Sequence, residues 1–122
     1  MSGQDSSLLG RWGEALAADY LRKHQGTVLA SGWRCRFGEI DLIVREGEYL
    51  CFVEVKLRKS GRFGRAGEFV DRRKQEKLRI TAELYLAQNP TELQPRFDVM
   101  EIYAPQGVET ATPEVILHKN AF

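Results

Sequence analysis

The stretch GEIDLIVREGEYLCFVEVK, residues 38–56, contains two hydrophobic segments that carry charged residues. The part that reads YLCFVEV is apolar on both alternating faces except at Glu54, which is typical of a central strand that is covered on both sides. A buried carboxylate is costly unless a cation or a network of hydrogen bonds compensates its charge. Glu54 therefore needs a positive charge nearby.

The turn between the two segments predicts which residues face Glu54. Gly47-Glu48 fits a two-residue hairpin loop with glycine at the first central position. Such a loop pairs Glu46 with Tyr49, and the antiparallel register then places Asp41 opposite Glu54 on the same face. Opposed Cβ atoms lie about 4.5 to 5.5 Å apart. A three-residue loop would instead send Asp41 and Glu54 to opposite faces.

The same register gathers three acids and one lysine on one face. Glu39 is expected opposite Lys56, beside Asp41 and Glu54. Lys56 neutralises one acid, which would be a plain ion pair, but negative charge remains. A divalent ion compensates that surplus, and Mg²⁺ suits a half-open site with one or two carboxylates. We therefore predict a Mg²⁺ site in which Mn²⁺ can substitute; the alternative is a structural network of ion pairs.

A metal at this position would suit the hydrolysis of a phosphodiester. A bound metal ion polarises the phosphate and lowers the pKa of its bound water. Lys56, two residues beyond Glu54, is placed to orient the nucleophile or to stabilise the developing charge. The alternative for Lys56 is a simple salt bridge.

The whole chain predicts one α/β domain over residues 1–122, with residues 1–6 as a flexible tail. Hydrophobic periodicity predicts helices at 7–24 and 71–88 and strands at 27–36, 39–46, 49–56, 96–103 and 114–118. Gly26 is expected to end the first helix, and the first three strands are expected to form an antiparallel meander. Residues 57–70 predict a mobile surface loop.

Composition excludes several classes of protein. No run of 18 or more apolar residues occurs and no secretory signal opens the chain, so we expect a soluble, cytoplasmic protein without a membrane partner. Cys35 and Cys51 lack a Cys-x-x-Cys arrangement and are predicted to be buried thiols. His24 and His118 each stand alone and are predicted to be surface or capping residues.

Positive charge is concentrated in residues 56–79, where ten Lys or Arg stand against three acids. This block indicates a phosphate-bearing partner such as nucleic acid, although a solvated helix face gives the same pattern. Phe63 lies among these arginines and could stack on a base or contact the core. The predicted nucleic-acid contacts are Arg58, Lys59, Arg62, Arg65, Arg72, Arg73, Lys74 and Lys77.

The order of these charged residues resembles a known superfamily. An acid in the first helix, then Asp41, then Glu54-Val55-Lys56 is similar to the PD-(D/E)XK nucleases, with Gly-Glu-Ile-Asp in place of Pro-Asp. Three segments resemble more specifically the YraN family of small bacterial predicted endonucleases, which is similar to archaeal Holliday junction resolvases. These segments are GRWGEALAADYL, FGEIDLIVREGEYLCFVEVK and VDRRKQEKLRITAELYL.

This resemblance implies a restriction-endonuclease-like αβββαβ core, with a mixed central sheet flanked by helices. It further implies an enzyme that uses Mg²⁺ to cleave DNA, including branched or junction DNA. Asp41 and Glu54 would be metal ligands, Lys56 the catalytic lysine, and Glu14 the helix acid that reaches the metal. The alternative for Glu14 is a solvated helix acid.

Two further residues are expected to support the site. Glu39 adds its carboxylate from the same strand as Asp41. Gln75 matches a glutamine that some relatives carry in the second helix, but those relatives have a tyrosine four residues later, where this chain has Arg79. A polar helix residue without a role in the site is the alternative for Gln75.

Two other classes of function remain open from the sequence. One is a nucleic-acid-binding module that keeps the nuclease fold but cleaves nothing, and the other is a structural protein with a buried charge network. A homodimer would suit a symmetric junction, but no exposed apolar strip in the sequence establishes one.

Overall fold

Two helices pack on opposite faces of a five-stranded mixed sheet. The computed structural model describes residues 6–59 and 70–122. The predicted α/β class and the order αβββαββ are confirmed. The elements are α1 Ser6–Lys23, β1 Thr27–Cys35, β2 Gly38–Glu46, β3 Tyr49–Arg58, α2 Arg72–Gln88, β4 Gln94–Tyr103 and β5 Glu114–His118, with a short 3₁₀ turn at Gly107–Glu109.

The strands lie side by side in chain order, β1-β2-β3-β4-β5. All neighbours are antiparallel except β3 and β4, which are parallel. A parallel pair needs a crossover connection, and α2 lies in that connection. The predicted meander of β1, β2 and β3 is confirmed.

The β2–β3 hairpin has the predicted two-residue turn. Gly47 has φ +59°, a left-handed conformation that favours glycine, and Glu46 pairs with Tyr49. The paired register continues to Leu42 and Val53 and stops there. Asp41 and Glu54 are the next residues along the two strands.

The predicted pairing of Glu39 with Lys56 is wrong. Glu39 has no partner on β3, because the ladder between β2 and β3 ends at Leu42 and Val53, and its partner on the other edge of β2 is Arg34 of β1. The two strands therefore separate at the point where the sequence places its acids.

The hydrophobic core has two layers, one on each face of the sheet. The layer under α1 includes the buried residues Ala17, Leu21, Leu42, Val44, Val53, Met100 and Ile102. The layer under α2 includes Ile40, Ile43, Leu50, Phe52, Leu78, Ala82 and Val99. β3 contributes to both layers, which confirms that it is a central strand covered on both sides.

Several boundaries differ from the prediction. α1 ends at Lys23, and the left-handed residue after it is Gln25 (φ +72°) rather than Gly26. Gly26 is needed for space instead, because a Cβ there would lie 2.9 Å from Val44 Cγ1. α1 already includes Ser6, and the rest of the predicted tail lies outside the described residues.

The predicted loop at 57–70 begins later than expected. β3 continues to Arg58 because it pairs with β4 as far as Tyr103. Residues 60–69 lie outside the described part of the chain. After these residues, the carboxylate of Asp71 accepts a hydrogen bond from Lys74 N at 2.8 Å and caps α2.

The cysteine and histidine predictions are confirmed for one residue of each pair. Cys51 is buried, and burial raises its pKa to about 12, whereas Cys35 is only partly buried. His24 is exposed and its Nδ1 lies 2.7 Å from the carbonyl oxygen of Tyr20 near the end of α1, as expected for a capping residue. His118 is instead half-buried on β5, where it contacts a buried acid. No helix of the described residues is long and apolar enough to cross a membrane.

Candidate metal and nuclease site

β2 loses its regular alternation at Asp41. Ile40 packs in the α2 layer, whereas Leu42 packs in the α1 layer, although residues two apart in a regular strand share a face. At this break the carboxylate of Asp41 turns toward β3 and accepts a hydrogen bond from the backbone N–H of Val55 at 2.8 Å. The side chain thus binds a strand N–H beyond the end of the β2–β3 ladder.

Close packing of α1 on β3 brings a second acid to this position. A Cβ at Gly13 would lie 3.1 Å from a methyl group of Leu57, so glycine lets the helix approach the strand closely. The next residue, Glu14, extends toward the end of β2. Its carboxylate lies within hydrogen-bonding reach of the Asp41 carboxylate.

Glu39 completes a cluster of three carboxylates. One oxygen from each of Glu14, Glu39 and Asp41 can be chosen so that all three atoms lie within 4.8 Å of one another. Gly32 of β1 has φ +64° and leaves room above them, since a Cβ there would lie 3.4 Å from Glu39 Oε2 and 3.9 Å from Glu14 Oε1. Three carboxylate oxygens around one small space can ligate a hard divalent cation such as Mg²⁺, which binds oxygen ligands.

The electrostatics of this cluster favour the arrival of a cation. Burial, followed by the nearby carboxylate of Glu54, raises the pKa of Asp41 from 3.8 to about 7 against the opposing hydrogen bond from Val55. Burial and the charge of Glu39 also raise the pKa of Glu14. Within the described residues, the cation paired with the cluster is the exposed guanidinium of Arg34, 3.3 Å from Glu39. The residues present therefore fit a divalent ion, which would compensate their excess negative charge.

Glu54 lies beside this cluster but in a different electrostatic setting. Its carboxylate is buried and is contacted by two ammonium groups, that of Lys74 at 3.2 Å and that of Lys56 at 3.7 Å. Lys56 comes from the same strand, whereas Lys74 reaches across from the first turn of α2. The cation that Glu54 requires is therefore supplied by the chain itself.

The structure brings together most of the predicted site residues. Glu14, Asp41 and Glu39 converge, with Glu54 and Lys56 next to them. Gln75 does not join them by a hydrogen bond within the described residues; its side-chain amide donates to the carbonyl oxygen of Val70 at 2.8 Å, which ties the first turn of α2 to the chain that precedes it.

The predicted nucleic-acid contacts fall into three groups. Arg58 is held on the sheet, with its Nε 3.6 Å from the buried carboxylate of Glu101, which also contacts His118 at 2.8 Å. Lys74 contacts Glu54. Lys74 is exposed, as are Lys59, Arg72, Arg73 and Lys77, and the contacts outside the described residues are Arg62 and Arg65, together with Phe63.

Two residues of the site were missed by sequence reasoning. Gly32 is an isolated glycine within a strand-like run, a signal for close approach by another group. Lys74 was assigned to the basic surface, although a lysine three residues after a helix cap points back over the first turn and can reach a neighbouring strand. Its partner could be known only from the packing of α2 on the sheet.

Comparison with known proteins identifies relatives of this chain. The profile of the uncharacterised protein family UPF0102, which is the YraN family, matches residues 13–102. A UPF0102 protein of Acetivibrio thermocellus is 44% identical, over 93% of this chain and 89% of its own length. A UPF0102 protein of Caldicellulosiruptor bescii is 42% identical, over 93% of this chain and 96% of its own. One of Caldanaerobacter subterraneus is 40% identical over the full length of both.

Proposed function

The chain belongs to the UPF0102 family, and we propose that it is a Mg²⁺-dependent endonuclease that hydrolyses phosphodiester bonds in DNA. The observation that supports this proposal is the convergence of Glu14, Glu39 and Asp41 beside the Glu54 and Lys56 pair. Carboxylates that crowd in this way next to an ammonium group combine a cation site with a group that can contact a phosphate. The wide exposed basic surface of α2 suits a polyanionic substrate.

Glu14, Glu39 and Asp41 would hold the metal ion. When bound, Mg²⁺ polarises a phosphodiester and lowers the pKa of a bound water molecule, which supplies a nucleophile at neutral pH. The hydrogen bond from Val55 fixes one oxygen of Asp41, so that the carboxylate keeps its orientation without the ion. A site that is already oriented costs little reorganisation when its ligand arrives.

Lys56 has the role of the phosphate-contacting cation. Its side chain is 26% exposed and lies on the strand that begins to separate from β2, so its ammonium group is accessible from solvent. Glu54, two residues earlier, holds this ammonium group near the acidic cluster. The ammonium can stabilise the negative charge that develops on the phosphoryl oxygens during hydrolysis.

The substrate is proposed to be DNA in the cytoplasm, with branched or junction DNA as the preferred form. Exposed cations on α2 lie on the same side of the sheet as Glu54 and Lys56. Such contacts bind the backbone without reading the bases, and their contribution falls as salt rises.

The test is an assay of purified protein on linear, single-stranded, flap and four-way DNA with Mg²⁺, Mn²⁺ or EDTA. We expect cleavage to require the metal ion. The cleavage rate should fall at least about 100-fold in Asp41→Asn and in Lys56→Ala, because even the loss of a residue that only supports a metal ligand lowers activity by about 10- to 100-fold. Lys23→Ala is the matched control, since Lys23 pairs with Asp19 on the exposed side of α1. Cleavage that survives Lys56→Ala would contradict the proposal.

One observation favours a second candidate, a nucleic-acid-binding module without catalysis. Two ammonium groups already neutralise Glu54, so this carboxylate needs no metal ion. A pure binding module would retain salt-sensitive DNA binding in every variant and would show no Mg²⁺-dependent cleavage for Asp41→Asn to remove.

A further inference from the structure

A large aromatic side chain is exposed next to the acidic cluster. Phe37 lies in the two-residue turn between β1 and β2, which the pairing of Cys35 with Gly38 closes, and 42% of its surface is exposed. Single exposed hydrophobic residues are common on soluble proteins and need no explanation by themselves. The surroundings of Phe37 distinguish it from such residues.

Phe37 forms one wall of a cavity of about 220 Å³ between the turn and α2. Glu39, a member of the three-carboxylate cluster, forms part of the same wall, two residues further along. The opposite wall is a stripe of α2 in which the residues recur at helical spacing: Lys74, Lys77, Leu78 and Thr81. The cavity thus opens directly beside the proposed metal site.

Positive charge surrounds this aromatic ring. The guanidinium of Arg36 lies over the Phe37 ring, 4.9 Å from its centre, and Lys74 and Lys77 of α2 line the cavity that Phe37 also lines. Lys77 is exposed and is therefore accessible to a ligand. An aromatic side chain in a positively charged groove is the arrangement by which proteins hold the bases and backbone of a single nucleic-acid strand.

The chain keeps this cavity narrow but open. At Gly38 a Cβ would lie 3.2 Å from Thr81 Oγ1, so any larger residue would press the turn against α2. Glycine at this position preserves the gap between Phe37 and the helix. The remaining space takes one planar ring system rather than a double helix.

We propose that this cavity is a subsite for one unpaired nucleotide of the DNA strand that is cleaved. Phe37 stacks on the base, Lys77 contacts the phosphate of that nucleotide, and the neighbouring phosphate lies at the acidic cluster. The inference rests on the proposed function and adds a substrate class to it. A paired base within a duplex is stacked on both sides by its neighbours, so only a nucleotide at a flap, a junction or a single-stranded end can enter.

The experiment measures DNA binding without catalysis. Fluorescence anisotropy in EDTA follows a labelled single-stranded oligonucleotide and the matching duplex, with wild type, Phe37→Ala, Phe37→Tyr and Leu29→Ala. Leu29 is the matched control because it is 47% exposed on β1 but does not line the cavity. We expect Phe37→Ala to weaken single-strand binding roughly tenfold, as the loss of one stacked base does, and to change duplex binding by less than about twofold.

Two variants separate stacking from a general loss of structure. Phe37→Tyr keeps the aromatic face and should bind the single strand as wild type does. Lys77→Gln, which leaves the aromatic platform intact, should also weaken single-strand binding and should reduce its salt dependence. A similar loss for both DNA forms in Phe37→Ala, or no loss, would overturn the proposal.

These binding data, taken together with the Mg²⁺ cleavage assay on the same DNA forms, distinguish this inference from the proposed catalysis. If wild type cleaves no DNA but shows the Phe37-dependent preference for single strands, the nuclease proposal fails and the subsite remains. If wild type cleaves DNA with Mg²⁺ but Phe37→Ala binds the single strand as wild type does, the subsite fails alone. If wild type binds neither DNA form, both fail.

Discussion

The sheet carries two clusters of charged residues. In one, the carboxylates are paired with cations, and in the other, the carboxylates lie close to one another with little compensating positive charge. At the β2–β3 turn, Glu46 and Asp98 each have a cation: the Arg96 guanidinium donates to Glu46 at 2.6 Å and to Asp98 at 2.9 Å, and Lys119 contacts Glu46 at 2.9 Å. The hydrogen bond from Arg96 lowers the pKa of Glu46 below its ordinary value. The cluster at the turn is therefore complete without any further ligand.

The acidic cluster at the other end of β2 is not balanced in this way. Burial and neighbouring carboxylates raise the pKa of Asp41 to about 7 and also raise that of Glu14. An acid that a protein uses only for stability is normally given a partner, as Glu46 is. The contrast supports the proposal that the acidic cluster binds a cation, whereas the cluster at the turn serves stability.

The largest expected effect is on stability, at the balanced cluster. Arg96→Met leaves Asp98, whose side chain is 2% exposed, without the guanidinium, and should lower the free energy of unfolding by about 3–5 kcal/mol. Urea denaturation measures this loss. Asp41→Asn is the comparison and should not destabilise the metal-free protein at pH 8. A loss of less than about 1 kcal/mol in Arg96→Met would show that this cluster is not structural.

The pH dependence of stability should differ in sign between the two clusters. Asp41 has a folded pKa of about 7, above its ordinary 3.8, so its contribution is fully present below pH 3.8 and is lost as the pH rises through 7. Glu46 has a lowered pKa, so its contribution is present above its ordinary value of 4.5 and is lost as the pH falls. The titration of Asp41 alone should lower the free energy of unfolding by a few kcal/mol between pH 4 and pH 8.

Urea denaturation in EDTA at a series of pH values measures this difference. Asp41→Asn should flatten the decline in stability between pH 5 and pH 8, because asparagine does not titrate. Glu46→Gln should leave that decline in place and reduce the loss at acid pH. The same slope in Asp41→Asn and in wild type would contradict the raised pKa.

A smaller effect is expected at Glu54, which is paired with cations but lies beside the acidic cluster. Lys74→Gln removes the nearer of its two ammonium groups and leaves only that of Lys56, so the charge of Glu54 is less compensated and the affinity of the site for Mg²⁺ should rise several-fold. Calorimetric titration measures the affinity. Arg73→Gln changes the neighbouring exposed cation and serves as the control. Equal Mg²⁺ affinities in the two variants would show that Lys74 does not influence the site.

The sequence predicted the hairpin that organises the acidic cluster because the cause is local. Gly47-Glu48 determines the turn, and the turn determines the register that starts at Glu46 and Tyr49. The alternation of side chains along the strands then determines which residues share a face. The prediction failed where alternation itself breaks. The Asp41 carboxylate accepts the hydrogen bond of the Val55 N–H, the β2–β3 ladder ends there, and the ion pair of Glu39 is with Arg34 of β1.

Contacts between distant elements were not predictable from pattern alone. The position of Glu14 depends on how closely α1 approaches Leu57 at Gly13, and the reach of Lys74 depends on where α2 crosses the sheet. The resemblance to nucleases supplied Glu14 as an expectation, but nothing supplied Lys74. Likewise, the partner of His118 is a buried acid on the neighbouring strand, and no spacing in the sequence indicates that pairing.

The measurement that tests the central claim most directly is Mg²⁺ or Mn²⁺ binding to the metal-free protein by calorimetry, with Asp41→Asn and Glu46→Gln alongside wild type. If the unbalanced acids form a cation site, wild type and Glu46→Gln bind the ion equally, and Asp41→Asn binds it at least about tenfold more weakly. Binding that is absent in wild type at millimolar metal, or that is the same in Asp41→Asn, would contradict the account.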